Sequence, residues 1–170
     1  MTPSIFQTFR VNRASIWKSD FSIESANGRL ATVDYLNALQ TEAKVQTQNK
    51  AFFIEKGVMG GEISVYDNET NEEIALLEVE MSFSHIKYVM RFRYKEDKYT
   101  FSHKHLWKTS EFEWRNEAEQ ELMRIQQKWN WFKQETVMEV NTQLVPEDEV
   151  ALLSVLGIMV IQYYNSGQGT

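Results

Sequence analysis

The sequence predicts a mostly β domain: a closed antiparallel barrel of about ten to twelve strands around a buried apolar helix near the C-terminus. Three observations carry this. From about residue 20 to residue 140 apolar and polar residues alternate with period two in short runs. Turn residues separate those runs. In the helix expected over 147–164 the alternation stops, and Val150 to Ile161 is apolar on every side.

Residues Met1 to Ser15 contain Phe6, Phe9 and Arg10 but no apolar run of the secretory kind, so they read as an ordinary tail and export is not expected. The first hairpin pairs Phe21-Ser22-Ile23 with Leu30-Ala31-Thr32-Val33 across Asn27-Gly28, the strongest short hairpin signal. The stretch Ala38 to Asn49 is polar apart from Leu39, Ala43 and Val45, and fits a strand or a short helix equally. Gly60-Gly61 and Tyr66-Asp67-Asn68 then bracket a short strand from Glu62 to Val65.

The clearest pair follows. Ala75, Leu77, Val79, Met81 and Phe83 line one face, with Glu78, Glu80 and Ser82 opposite. From His85 to Tyr94, Ile86, Tyr88, Met90, Phe92 and Tyr94 share a core face, while Lys87, Val89, Arg91 and Arg93 share a wet one. Ser84-His85 reads as the turn between them. Lys95-Glu96-Asp97 leads to the next strand, and Phe112/Trp114, Met123/Ile125 and Met138/Val140 mark three more.

Pro146 followed by Glu147, Asp148 and Glu149 opens the helix, with proline where a donor would be orphaned and acids near the positive end of the dipole. Val150 to Ile161 has no amphipathic stripe, so its surroundings are apolar all round. That run is shorter than the ~20 residues needed to cross a hydrocarbon core. The inward rows of a closed sheet supply the same environment and use both halves of the sequence at once. A barrel filled in this way leaves no room for a lipocalin-like ligand. The segment 166–170, Ser-Gly-Gln-Gly-Thr, reads as a flexible tail.

A chain of 170 residues is long enough for one domain with its own core. The absence of cysteine removes thiol catalysis and thiolate metal sites and fits a reducing, cytoplasmic setting. A formal charge of −6 disfavours nucleic acid as a partner.

This layout resembles the tubby C-terminal-like superfamily, and within it the phospholipid scramblase and LURP-one-related group. The resemblance spans roughly Phe21 to Asn165 and centres on Pro146-Glu147-Asp148-Glu149 leading into Val150-Ala151-Leu152-Leu153-Ser154-Val155-Leu156-Gly157. It implies a dozen-strand barrel around a hydrophobic C-terminal helix, and a non-enzymatic module that binds membrane lipids or proteins. Scramblase activity is not implied, because the chain lacks a proline-rich arm, a cysteine cluster and an acidic loop with calcium-site spacing.

The basic row Lys87, Arg91, Arg93 and Lys95, with Lys98 and Lys104 nearby, is the best candidate for an anionic lipid headgroup. The plainer alternative is a solvated strand face with Glu78 and Glu80 as cross-strand partners. Trp129 and Trp131, with Phe132, form a candidate platform for a partner or the membrane interface, or else plug a barrel end. His103 and His105 share a face near Glu111 and Glu113, but two histidines make no metal site. Ser154 has no catalytic partner in the sequence, and no phosphate loop, nucleophile elbow or cofactor motif is present, so neither a catalytic residue nor a cofactor is expected.

Two functions follow. The first is a non-enzymatic barrel module that binds an anionic phospholipid or a protein through its outer surface, with peripheral membrane contact at most. The second is a small-molecule binder or enzyme with its pocket at the barrel end near the tryptophans. Space inside the barrel separates them.

Overall fold

A computed structural model describes residues 5–13, 20–57, 61–81, 86–105, 110–130 and 133–167. Its twelve strands are β1 (Phe6–Arg13), β2 (Phe21–Ser25), β3 (Gly28–Tyr35), β4 (Glu42–Thr47), β5 (Ala51–Lys56), β6 (Glu62–Asp67), β7 (Glu73–Met81), β8 (Ile86–Phe92), β9 (Lys98–His105), β10 (Ser110–Arg115), β11 (Glu121–Asn130) and β12 (Lys133–Asn141). One helix, α1 (Glu147–Gly167), follows. Each strand pairs antiparallel with its neighbour in the chain, and β1 closes the ring by pairing with both β2 and β12. The barrel around a buried C-terminal helix is therefore the architecture that the two sequence periods predict.

Several details differ from the expectation. The segment read as a tail contains β1, whose Phe9 faces the core; without it the sheet would expose two open edges. In the stretch left open as strand or helix, Glu42–Thr47 is a strand and 36–41 a turn. There Asn37 accepts from the Thr41 amide at 3.0 Å, and Gln40 takes a left-handed φ of 55°. Tyr94 lies past the end of β8 and is 55% exposed rather than in the core row. Val89 belongs to the outer row yet is buried, flanked by Glu78 and Thr100 on the adjoining strands. The helix runs on to Gly167, beyond the expected end. The expected Ser84-His85 turn falls outside the described residues, but the register Ala75↔Phe92 through Met81↔Ile86 bears out the pairing of the two strands.

Core packing explains the closure. From Val150 to Ile161 every helix residue is buried, and the inward rows, among them Ile23, Val45, Ile54, Leu77, Met90, Phe101, Ile125 and Met138, surround it. Each fully buried Leu, Ile or Met stabilises by roughly 1.5–3 kcal/mol. Gly157 marks the tightest approach: a Cβ there would lie 2.6 Å from Ile125 Cδ1 and 3.1 Å from Trp114 Nε1. The bare backbone lets the Trp114 indole donate to the Leu153 carbonyl at 3.0 Å, so the buried N–H is satisfied and wall and helix are joined. Ser154 donates to the Val150 carbonyl at 2.7 Å, which accounts for the one hydroxyl in the apolar run.

Residues 147–166 of the helix are long and apolar enough to cross a membrane by length and composition alone. In the fold the barrel sheaths this surface. The outer wall carries ionised pairs, the reverse of what lipid-facing strands present.

Candidate functional site

The sequence-predicted basic row does not form a free cationic patch. On the outside of β7 and β8, Lys87 lies 3.9 Å from Glu80, Arg91 Nε 3.0 Å from Glu78, and Arg93 Nε 2.7 Å from Glu73. Antiparallel register sets one acidic strand beside one basic strand, so the charges pair in a ladder. Lys104 likewise reaches Glu111 at 3.8 Å, and Arg124 reaches Glu111 at 3.6 Å and Glu121 at 2.8 Å. Lys98 is exposed on β9 opposite Arg91.

Lys95 does not belong to that row. It sits in the β8–β9 connection, turned over the barrel mouth, with its side chain 19% exposed and its ammonium 2.5 Å from Glu149. It also donates to the Tyr99 hydroxyl at 2.8 Å and lies 4.2 Å from the Phe92 ring centroid. Glu149, almost fully buried, accepts further from Tyr94 at 3.1 Å and Tyr99 at 3.0 Å. Desolvation alone would lower Lys95, but its bonds to Glu149 and Tyr99 outweigh that and hold its pKa above the ordinary lysine value. Burial and the Glu149 charge push the Tyr94 and Tyr99 hydroxyls up, although the bond from Lys95 works against this at Tyr99. In the sequence Glu149 is one of three helix-opening acids at the positive end of the dipole. Only its place on the helix face toward β8 and β9 sets it apart.

The other candidates separate. Trp129 lies in β11 opposite Gln134; its side chain and all of Trp131 are outside the described residues, as are Trp17 and Trp107. His103 faces inward, its ring stacked 4.5 Å from Phe112 and tilted against Tyr164 at 5.3 Å, whereas Glu111 and Glu113 point to the outer face. The wall of the barrel therefore stands between the imidazole and the carboxylates that a metal would need.

The end of the barrel at the helix N-terminus holds an open cleft of about 580 Å³. Gln7 and Phe9 of β1, the β2–β3 and β4–β5 hairpin tips and the first turns of α1 line it. Asn27-Gly28 makes the first tip, with Gly28 at a φ of 126° that L side chains rarely adopt. Tyr35 meets Gln162 at the opposite end, so the cleft lies at the end away from the Trp129↔Gln134 pair of β11 and β12.

Fold and surface together define a helix-filled β-barrel whose accessible chemistry lies on its wall and at its mouth. No protein-family model, curated protein or solved structure matches the chain.

Proposed function

We propose that the chain is a non-catalytic barrel module of the tubby-like kind that acts by binding a protein partner on its outside, in a reducing, cytoplasmic setting. The observation that carries this is the filled interior. With the helix buried from Val150 to Ile161 and the inward rows closed around it, the helix occupies the interior that a substrate would need, and among the described residues the wall and the helix N-terminal mouth are the surfaces open to a ligand.

A protein partner fits that wall better than an anionic headgroup does. Lys87, Arg91 and Arg93 already face carboxylates, so a phosphate would have to displace Glu80, Glu78 and Glu73 and meet their repulsion.

The test has two arms. The purified chain is mixed with neutral vesicles and with vesicles rich in anionic phospholipid, at low and physiological salt, and is separately used to capture partners from an extract of its native cells. The expected result is no anion-dependent sedimentation at physiological salt and a saturable, stoichiometric complex with a protein. Salt-sensitive sedimentation that disappears in the K87E/R91E/R93E variant would overturn the choice of partner and restore the headgroup reading.

A further inference from the structure

We infer that the cleft at the helix N-terminal mouth is the docking site, and that it takes a partner segment carrying a lysine or arginine beside an apolar side chain. This rests on the interaction-module reading and names the chemistry of its partner. At about 580 Å³ the cleft has the size of a ligand site.

Its floor is apolar, made by Phe9, Phe52, Val150 and Ala151. An incoming aliphatic or aromatic side chain would be removed from water against that floor at about 25 cal/mol per Å².

Charge decides the rest of the ligand. Four charged residues line the cleft: Arg29 and Lys50 on the hairpin tips, and Glu147 and Asp148 on the helix. Arg29 Nε lies 3.2 Å from Glu24, so that cation is paired, and Lys50 is the one lining cation with no ion pair among the described residues. Glu147 and Asp148 are exposed, and no ion pair is formed to either among the described residues. Glu149, from the same turn, is spent on Lys95. The positive helix end amounts to about half a charge, less than the two carboxylates it carries, so the helix wall of the cleft attracts a cation. The polar tip residues Asn27, Gln48 and Asn49 offer donors and acceptors to a peptide backbone lying across the floor.

A random heptapeptide display library, selected on the immobilised full chain and on its E147Q/D148N variant, tests this. Both substituted positions are exposed, so the variant should fold as wild type does, with a melting temperature lower by no more than a few degrees through the lost helix-dipole interaction, which is checked first. Wild type should enrich peptides with Lys or Arg next to an apolar residue. The best of them should bind the variant about tenfold more weakly and should shift the amide resonances of Gly28, Asn49 and Ala151. The inference is overturned if nothing is enriched, if enriched peptides lack a basic residue, if the variant selects the same peptides, or if the shifts fall elsewhere. A stoichiometric complex with a cellular protein, unaffected by E147Q/D148N, would sink this site while leaving the module reading intact.

Discussion

Replacing Lys95 with Met tests whether the buried cluster at the mouth anchors the helix in the barrel. The substitution keeps most of the apolar stem against Phe92 and Tyr99 but strips Glu149 of its cation. A carboxylate with only 4% of its side chain exposed is then left with two tyrosine hydroxyls. Breaking a buried pair from one side costs about 3–5 kcal/mol. The remaining hydroxyls and the partial exposure of Lys95 bring the expectation to about 2–3 kcal/mol. For a chain of this size that lowers Tm by roughly 5–10 °C. Glu149→Gln is milder, about 1–2 kcal/mol, because the freed ammonium has Asp97 at 3.6 Å and access to water. The double variant should be less destabilised than the sum of the two, with a coupling of about 1 kcal/mol or more by urea denaturation. A K95M protein within about 0.5 kcal/mol of wild type, or strictly additive variants, would show that the cluster does not hold the helix.

Further outcomes follow from the same packing. Gly157→Ala places a methyl against Ile125 Cδ1 and should cost about 1–3 kcal/mol; adding Ile125→Val removes that atom and should recover part of the loss, read from the same denaturation curves. Leu153→Asp or Leu156→Asp buries an unpaired charge and should abolish folding, so a folded monomer by circular dichroism and gel filtration would refute the central-helix packing. Alkaline pH should destabilise the protein. Tyr35, Tyr88, Tyr94 and Tyr99 are raised chiefly by burial, and Lys95 is raised once its bonds to Glu149 and Tyr99 outweigh desolvation. Their contribution is present below the unfolded values near pH 10 and is lost as pH rises through the folded ones. Stability measured between pH 8 and 12 should stay level to about pH 9 and fall above about pH 10, and Tyr94→Phe should soften the fall.

Much of the architecture was legible because each period has one geometric meaning. Alternation at Tyr88, Met90 and Phe92 puts them on one side of a pleat, and a twelve-residue run without a polar stripe, Val150 to Ile161, demands an apolar sheath. Asn27-Gly28 specified its hairpin through a backbone conformation few other residues tolerate. By itself, then, the sequence determined a closed sheet around a helix.

What it left undetermined depends on which residues meet across the fold. β1 was hidden because Phe6–Arg13 shows little apolar alternation, and only its two partners, β2 and β12, make it a strand. Lys95 and Glu149 are 54 positions apart, and nothing local distinguishes that lysine from Arg93 or that glutamate from Glu147. The ladder that neutralises Lys87, Arg91 and Arg93 needed the register of β7 against β8. The cleft needed two hairpin tips and the first helical turns brought to one end. Local pattern records how each residue sits relative to its own strand or helix. Pairing of charges and the shape of a mouth are long-range quantities, set only when the ring closes and the helix takes its rotation inside it.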